Sequence, residues 1–491
     1  MSRHGWNSAS SGTTTDPEEG DNMAGHQVKG IVVAGLSGGS GKSVVAVGLT
    51  AHLRKSGRRV IPFKKGPDYI DAGWLSRAAG RPCYNLDPFL MSPEVLRSSF
   101  GRHAVQGDYA VIEGNRGLYD GVDAAGGYST AELALLLDLP VLLVVNCGKT
   151  TRTIAALVLG CRELDKRVRI AGVILNNIAT SRQESVIREA VEQYASTPVV
   201  GTVPRQKKDI FPMRHLGVVP HQETESAAGA IDLLAGIVGR HFDIGRIDGL
   251  MGVVPVAPPI PEPGKATVTI GIVRDRAFQF YYEENLEALR EAGAELVMID
   301  ALQARTLPDG LDALYIGGGF PETSAAELAN NATFRESVRE AAERGMPIYA
   351  ECGGLIFLGR SIILEEREYP LAGVFPVTFG ISSRPQAHGY SIFTAERDNP
   401  FYPPGTRVKG HEFRYSTIVR WDGRAEDLVL AVERGTGFMH GRDGLVRNNV
   451  LALYTHVLAP GAPEWARAMV RRARLYHRRK EGTGPAGNDW G

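Results

Sequence analysis

Two α/β domains, each organised around parallel strands, are what this sequence predicts, and three observations predict them. Short apolar runs alternate with helical patterns through both halves of the chain. A proline-dense stretch from Val253 to Lys265 separates the halves as a stiff, extended spacer. Each half also carries a glycine-rich turn between a strand-like run and a helical pattern: Gly35–Ser43 in the first, Tyr349–Leu355 in the second. The expected division is a disordered tail over 1–27, a first domain over 28–245, a linker over 246–267, a second domain over 268–475 and a tail over 476–491.

Size and composition agree. The 491 residues exceed one ordinary core, and two domains of roughly 200 residues are natural. The first 27 residues are rich in Ser, Thr, Gly, Asp and Glu and lack the apolar core of a signal peptide. Lys+Arg and Asp+Glu both count 55, giving zero net charge, which argues against nonspecific nucleic-acid or anionic-membrane binding. The four cysteines have no CxxC spacing and no neighbouring His pairs. That argues against a disulfide framework or a zinc site and fits a reducing cytosol, so the expected location is cytoplasmic. No segment reaches the roughly 18 apolar residues of a membrane span; the nearest, Leu133–Val145, is broken by Asp138 and Pro140.

In the first half, the run Val28–Ala34 leads into Gly35-Leu36-Ser37-Gly38-Gly39-Ser40-Gly41-Lys42-Ser43 and then a helical pattern. This is the context a phosphate-binding loop requires: amides and a helix N-terminus cradle phosphate, Lys42 reaches the outer phosphates, and the Ser43 hydroxyl ligates Mg²⁺. The spacing departs from the standard motif, with Leu36 where the first glycine belongs; a glycine-rich turn with a chance Lys-Ser is the plain alternative. Strands are expected at Val60–Phe63, Tyr109–Gly114, Val141–Val145, Ile170–Leu175 and Val199–Pro204. Ligands of open α/β sheets sit at the carboxyl ends of strands. Asp68 and Asp71 after the second run, and Glu113 at the end of the third, are therefore candidates for metal or substrate, against solvated turn carboxylates. Asn176 ends another run and suits either an adenine edge or a turn.

In the second half, strands are expected at Val268–Val273, Glu295–Ile299 and Leu311–Ile316, the last ending in Gly317-Gly318-Gly319. Bare backbone there would line a pocket for a small amino acid or an oxyanion, or form a plain loop. At Tyr349-Ala350-Glu351-Cys352-Gly353-Gly354-Leu355, a strand, a sharp turn and a helix would expose Cys352 in a strained conformation. The helix N-terminus favours a thiolate, and glycine amides are left for an oxyanion. A buried structural cysteine is the alternative. A nucleophilic thiol needs a base, and His456 at the end of the run Val450–His456 is chosen over His388, His411 and His440.

Taken in order, the phosphate loop, Lys64-Lys65-Gly66-Pro67-Asp68-Tyr69-Ile70-Asp71, Glu113-Gly114-Asn115-Arg116-Gly117-Leu118-Tyr119-Asp120-Gly121, Gly317-Gly318-Gly319-Phe320-Pro321-Glu322, Ala350-Glu351-Cys352-Gly353-Gly354-Leu355 and Tyr454-Thr455-His456 resemble the cobyrinate a,c-diamide synthase family over about residues 28–475. The first half is similar to dethiobiotin synthetase and related ATP-dependent ligases with a P-loop, the second to class I glutamine amidotransferase domains. The resemblance implies that Cys352 attacks glutamine with His456 as base and acid, and that Gly317, Gly318, Gly319 and Gly353 form the oxyanion and glutamine pocket. It implies that Gly39, Gly41, Lys42, Ser43 and Asn176 bind ATP, and that Ser43, Asp68 and Glu113 hold Mg²⁺. Ammonia would then amidate two acetate carboxylates of a tetrapyrrole, gripped by Asp71, Arg116, Tyr119, Asp120 and Arg214. Cobyrinate is the first expectation; sirohaem, nickel-sirohydrochlorin and hydrogenobyrinate are alternatives, because the phosphate loop departs from that expected of cobyrinate enzymes. The resemblance leaves room for a homodimer. Ordinary class I members carry an acid two residues after the catalytic His; Leu458 stands there, so the third member of the site is unassigned. A positioning ATPase of the deviant P-loop type is the competing class, but its additional early lysine is replaced by Ser37.

Overall fold

The computed structural model describes residues 27–206, 213–214, 217–218, 220, 227–254 and 265–482. The N-terminal stretch before residue 27 and most of the proline-dense spacer lie outside the described residues. The first domain begins β1 (Lys29–Gly35), α1 (Lys42–Lys55), β2 (Val60–Lys65), α2 (Ile70–Ala79), β3 (Tyr84–Leu86), α3 (Pro93–Ala104) and β4 (Tyr109–Glu113). It continues α4 (Thr130–Leu137), β5 (Val141–Asn146), α5 (Thr153–Leu164), β6 (Ile170–Ile178), α6 (Ser181–Ala195) and β7 (Val199–Pro204). The strands stand in the order β3-β2-β4-β1-β5-β6-β7, every neighbouring pair parallel. Apolar side chains cover both faces, as a buried parallel sheet requires.

After a short hairpin of β8 (Met213–Arg214) and β9 (Gly217–Val218) come α7 (Ala227–His241), α8 (Ile244–Leu250) and β10 (Gly252–Val253), which pairs antiparallel with the start of β1. The beginning of the stretch read as linker is thus ordered structure of the first sheet. Residues in it are held by the fold: the Asp248 carboxylate accepts from Lys29 Nζ at 2.5 Å and from the Tyr109 hydroxyl at 2.6 Å.

The second domain opens with β11 (Val268–Val273), α9 (Glu283–Glu291), β12 (Ala294–Ile299), β13 (Ala313–Ile316), α10 (Ala325–Asn330), α11 (Ala332–Glu343), β14 (Ile348–Glu351) and α12 (Gly353–Leu358). Strands dominate thereafter: β15 (Ser361–Leu364), β16 (Arg367–Pro370), β17 (Val377–Ile381), β18 (Ala387–Ala395), β19 (Arg407–Arg414), β20 (Ser416–Trp421), β21 (Leu428–Arg434), β22 (Arg442–Arg447), β23 (Val450–Leu453) and β24 (His456–Val457). A final helix, α13, spans Glu464–Lys480. It runs through the expected boundary at 475 because Lys480 Nζ lies 2.7 Å, and His477 Nδ1 2.9 Å, from the buried Asp312 carboxylate.

The long sheet reads β12-β11-β13-β14-β23-β22-β21-β18-β19-β24, and only its first five strands are parallel. A separate sheet, β16-β15-β17-β20, packs beside it. The β-rich second part departs from a simple strand–helix alternation. The run expected to end in His456 is also two strands. Tyr454 and Thr455 give their amides to the Asp443 carboxylate at 3.0–3.3 Å. They thereby leave the β23 ladder, and His456 restarts as β24, paired antiparallel with β19 through His411.

Polar contacts lock the domains together. The Glu284 carboxylate accepts from the Asn85 amide at 2.6 Å. Glu287 accepts from the Tyr84 hydroxyl at 2.9 Å and lies 2.9 Å from His103 Nε2. The Tyr390 hydroxyl donates to Asp87 at 2.8 Å, and Lys409 Nζ to the Phe89 carbonyl at 3.1 Å. Tyr282 and Leu458, from the second domain, belong to the first domain's core.

Burial pushes Glu284 up to about 8. A carboxyl whose folded value exceeds its unfolded value stabilises the fold fully below the unfolded value, and that contribution is lost as pH rises through the folded one. Glu284→Gln, which stays neutral, is therefore expected to melt above wild type at pH 9 by about 2–4 °C for each kcal/mol gained. The two should converge below pH 5; melting curves across pH 5–9 check this.

Candidate active site: two centres on one interdomain cavity

Cys352 sits between β14 and α12 with φ +46° and ψ −95°, the strained turn the sequence predicts. Gly354, packed so that a Cβ would meet the Ile316 carbonyl at 2.3 Å, lets the helix start this close to β13. The thiol is buried, and its electrostatic influence reaches His456. Its sulfur also lies 3.8 Å from the Phe413 carbonyl. Burial disfavours the imidazolium, but the contacts with Cys352 and Glu351 outweigh it and push His456 up to about 10. A protonated His456 beside the sulfur is the partner of a thiolate.

The competitors separate by geometry. His411 stacks on His456 with ring centroids 4.9 Å apart, but burial, with His456 beside it, holds it well below its ordinary value. His411 is thus a neutral platform, its Nδ1 3.1 Å from the Tyr282 hydroxyl. His388 packs on Phe413, and His440 occupies a positive-φ turn.

The three glycines after β13 divide. Gly317 gives its amide to the Tyr281 hydroxyl at 2.7 Å, so that donor is already engaged. A Cβ on Gly318 would lie 2.4 Å from His456 Cε1, and one on Gly353 2.9 Å from the Gly319 nitrogen. Gly318 therefore makes room for the imidazole, and the backbones of Gly319 and Gly353 adjoin beside Cys352.

In the first domain, Gly39 (φ +76°) and Gly41 (φ +97°) shape the loop that opens α1, and Lys42 is buried at its first turn. Ser43 Oγ donates to Glu113 at 2.7 Å. Lys64, at the end of β2, lies 2.6 Å from Asp71 and 3.2 Å from Glu113. Burial pushes Asp68 up to about 6 and Glu113 up to about 7, with the neighbouring Asp71 charge adding to both. Lys64 is raised as well, for the opposite reason: burial would lower it, but its acidic neighbours overcome burial and keep it charged. Asn176 donates to the Ser40 carbonyl at 2.9 Å, so in this state it braces the loop rather than facing outward.

Glu113 Oε2 is buried and has no hydrogen-bond partner. An orphaned carboxylate oxygen beside a serine hydroxyl at the head of a phosphate loop is the donor set a hard cation takes. Among the described residues no three His, Cys, Asp or Glu side chains gather as a metal-holding group, and Mg²⁺ commonly relies on one or two carboxylates, waters and phosphate oxygens instead. The residues fit the ion.

A cavity of about 560 Å³ between the domains reaches the Lys65–Ile70 segment on one side and His456 on the other. Lys65, Asp68, Arg116 and Asp120 line it from one side; His388, Arg434 and His456 from the other. Tyr69 bridges them. Its ring stacks on Phe280 at 5.2 Å, packs on Tyr282 at 4.4 Å, and meets His456 edge-on at 5.4 Å. Of the substrate candidates, Arg116 and Asp120 line the cavity and Asp71 is held by Lys64. Tyr119 turns away, donating to the Cys161 carbonyl at 2.7 Å. The side chain of Arg214 lies outside the described residues.

Lys64, Tyr69 and Glu351 were not singled out in the sequence. A lysine or glutamate inside an otherwise apolar strand is a usable signal, because such a residue is buried only when paired.

This geometry, a strained cysteine turn beside a histidine in one domain and a glycine-rich loop opening a helix in the other, is that of a glutamine amidotransferase fused to a nucleotide-binding domain. The family described as "CobB/CobQ-like glutamine amidotransferase domain" matches residues 269–463, and "CobQ/CobB/MinD/ParA nucleotide binding domain" matches residues 31–218. A cobyrinate a,c-diamide synthase of Magnetococcus marinus is 41% identical over 456 residues, 91% of this chain and 97% of that protein. Proteins of the same name from Archaeoglobus fulgidus and Dehalococcoides mccartyi are 39% and 38% identical over 90% and 91% of this chain, and 97% and 98% of theirs. The chain belongs to the cobyrinate a,c-diamide synthase family and is an enzyme of the glutamine-dependent amidotransferase class. No helix among the described residues is long and apolar enough to cross a membrane.

Gly318→Ala is expected to displace the His456 ring. A shift of about 1 Å at a reacting group costs about 100-fold in rate, so glutaminase turnover should fall by that order while ammonium-driven product formation holds. Steady-state assays with each nitrogen source check it.

Proposed function

We propose that this protein uses ATP and glutamine to amidate two acetate carboxylates of a tetrapyrrole, converting cobyrinate to its a,c-diamide. The observation that carries this reading is the single cavity touching both His456 and the Lys65–Asp68 segment. In this reading ammonia released at one centre crosses that cavity toward the other.

At the amidotransferase centre the Cys352 sulfur bonds to the glutamine side-chain carbonyl carbon. The amides of Gly319 and Gly353 support the oxyanion. The C–N bond breaks as His456 protonates the departing ammonia, and water then hydrolyses the thioester. At the other centre the loop amides and Lys42 hold the ATP phosphates while a substrate carboxylate attacks the γ-phosphorus and ADP leaves. Ammonia attacks the acyl phosphate carbon and phosphate departs. Ser43, Asp68 and Glu113 would hold Mg²⁺, which when bound neutralises phosphate charge.

The walls suit a polycarboxylate. Burial holds the His388 imidazole below its ordinary value, and the Arg116 charge across the domain boundary adds to this. The Arg434 guanidinium lies 5.2 Å from the centre of the Phe89 ring. Cations backed by aromatic faces suit acidic side chains on a flat conjugated ring. The names of the relatives support cobyrinate as that ring.

Incubation with ATP, Mg²⁺, glutamine and a panel of cobyrinate, hydrogenobyrinate, sirohaem and nickel-sirohydrochlorin, read by mass spectrometry, tests the substrate. Cobyrinate should show two successive carboxyl-to-carboxamide exchanges, and product on another ring alone would replace it. Cys352→Ala should lose glutamine-dependent product and regain it with ammonium, whereas Lys42→Ala should lose both. Glutamine-dependent turnover that survives Cys352→Ala defeats the mechanism.

A further inference from the structure

The position two residues after His456 is Leu458, so the acid expected to orient the histidine is missing there. The fold supplies a carboxylate from elsewhere. Glu351, the residue before the nucleophile and the last of β14, is fully buried. Its Oε2 lies 3.5 Å from His456 Nδ1, and its Oε1 accepts from the Val457 amide at 3.1 Å. One carboxylate therefore touches both the ring and the backbone that carries it. His456 Nδ1 has no hydrogen-bond partner of its own among the described residues, and this ion-pair distance is one that tightens when substrate closes a site.

Glu351 is itself held. Its Oε2 accepts from the Tyr315 hydroxyl at 3.1 Å. Asn285 lies 3.5 Å from that hydroxyl and grips the strand bearing His456 from outside, donating to the Val457 carbonyl at 2.8 Å and accepting from the Ala459 amide at 2.7 Å. The other nearby acids are occupied. Glu412 accepts from the Thr436 and Gly437 amides, and Asp443 from those of Gly444, Tyr454 and Thr455. The remaining titratable groups around His456 are Cys352, the neutral His411, Tyr69 and Tyr282.

We propose that Glu351 is the positioning residue for His456, taking the place of the acid that ordinary amidotransferases carry after the histidine. Nucleophile and orienter then sit side by side on one strand end, and the histidine approaches both from β24. The carboxylate fixes the ring so that Nε2 faces the sulfur, and it stabilises the imidazolium formed while Cys352 is a thiolate. This rests on the glutamine-dependent reading above, and the test separates the two.

The test uses the full chain with Glu351→Gln, which keeps the shape and the Val457 contact but removes the charge. Loss of a triad carboxylate costs as much as about 10⁴ in kcat where the nucleophile is a hydroxyl. A thiol needs less help, so a loss of about 100-fold in glutaminase kcat is expected, with the KM for glutamine within about threefold of wild type. The sign of the pH effect follows from the charge: without the carboxylate the imidazolium is less stable, so the alkaline limb of the glutaminase profile moves to lower pH. Ammonium-driven amidation should equal wild type. Tyr315→Phe should give a smaller kcat loss of the same kind. A glutaminase kcat within about twofold of wild type and an unmoved pH profile overturn the proposal, and so does parallel loss of ammonium-driven activity, which would make Glu351 merely structural. Glutamine use that survives Cys352→Ala would instead defeat the amidotransferase reading itself.

Discussion

The contact on which the two-centre arrangement depends is the packing of Tyr69 against His456. Tyr69 follows Asp68 directly, so one short segment after β2 carries a carboxylate close to Lys64 and a ring facing His456. Its neighbours Phe280, Tyr282 and His411 all come from the second domain. Each aromatic pair adds about 0.5–1.5 kcal/mol beyond simple burial. Together with the Glu284, Glu287 and Asp87 contacts they fix the distance between centres that chemistry alone does not join.

Charge compensation shapes both centres, with opposite results. Around Lys64 two close carboxylates overcome the cost of burial, and the ammonium group stays charged in the interior. Around Glu113 the balance is unfinished: one oxygen is taken by Ser43 and Lys64, and the other has no partner. An uncompensated buried carboxylate is costly in isolation, and such groups cluster where a site is built to receive charge. At His456 the balance runs toward the cation, with Cys352 and Glu351 on its two sides. Stability and function thus draw on the same buried charges.

Most of the parallel first sheet was legible because β1, β2, β4, β5 and β6 are apolar runs closed by a glycine or asparagine turn, whereas the three-residue β3 (Tyr84–Leu86) is too short and polar to stand out. The antiparallel half of the second sheet was less so. Its strands β18 and β19 mix buried with half-buried and exposed residues and bury His411, Glu412 and Arg414, which blurs the apolar pattern. The break between β23 and β24 was invisible for another reason: it is made by Asp443, a residue on a neighbouring strand, accepting the amides of Tyr454 and Thr455.

The sequence by itself determined the two local turns and the family they mark. Gly39 and Gly41 adopt positive φ in the glycine-rich loop, and Gly353 and Gly354 leave room for the backbone packed against the Cys352 turn, so both turns are written locally. Tertiary structure alone decided which groups serve them. Glu351 meets His456, Lys64 meets Asp71 and Glu113, and Tyr69 reaches across to the second domain only after strands distant in the chain are brought side by side. A buried charge finds its partner by where the fold leaves it, and no local spacing encodes that.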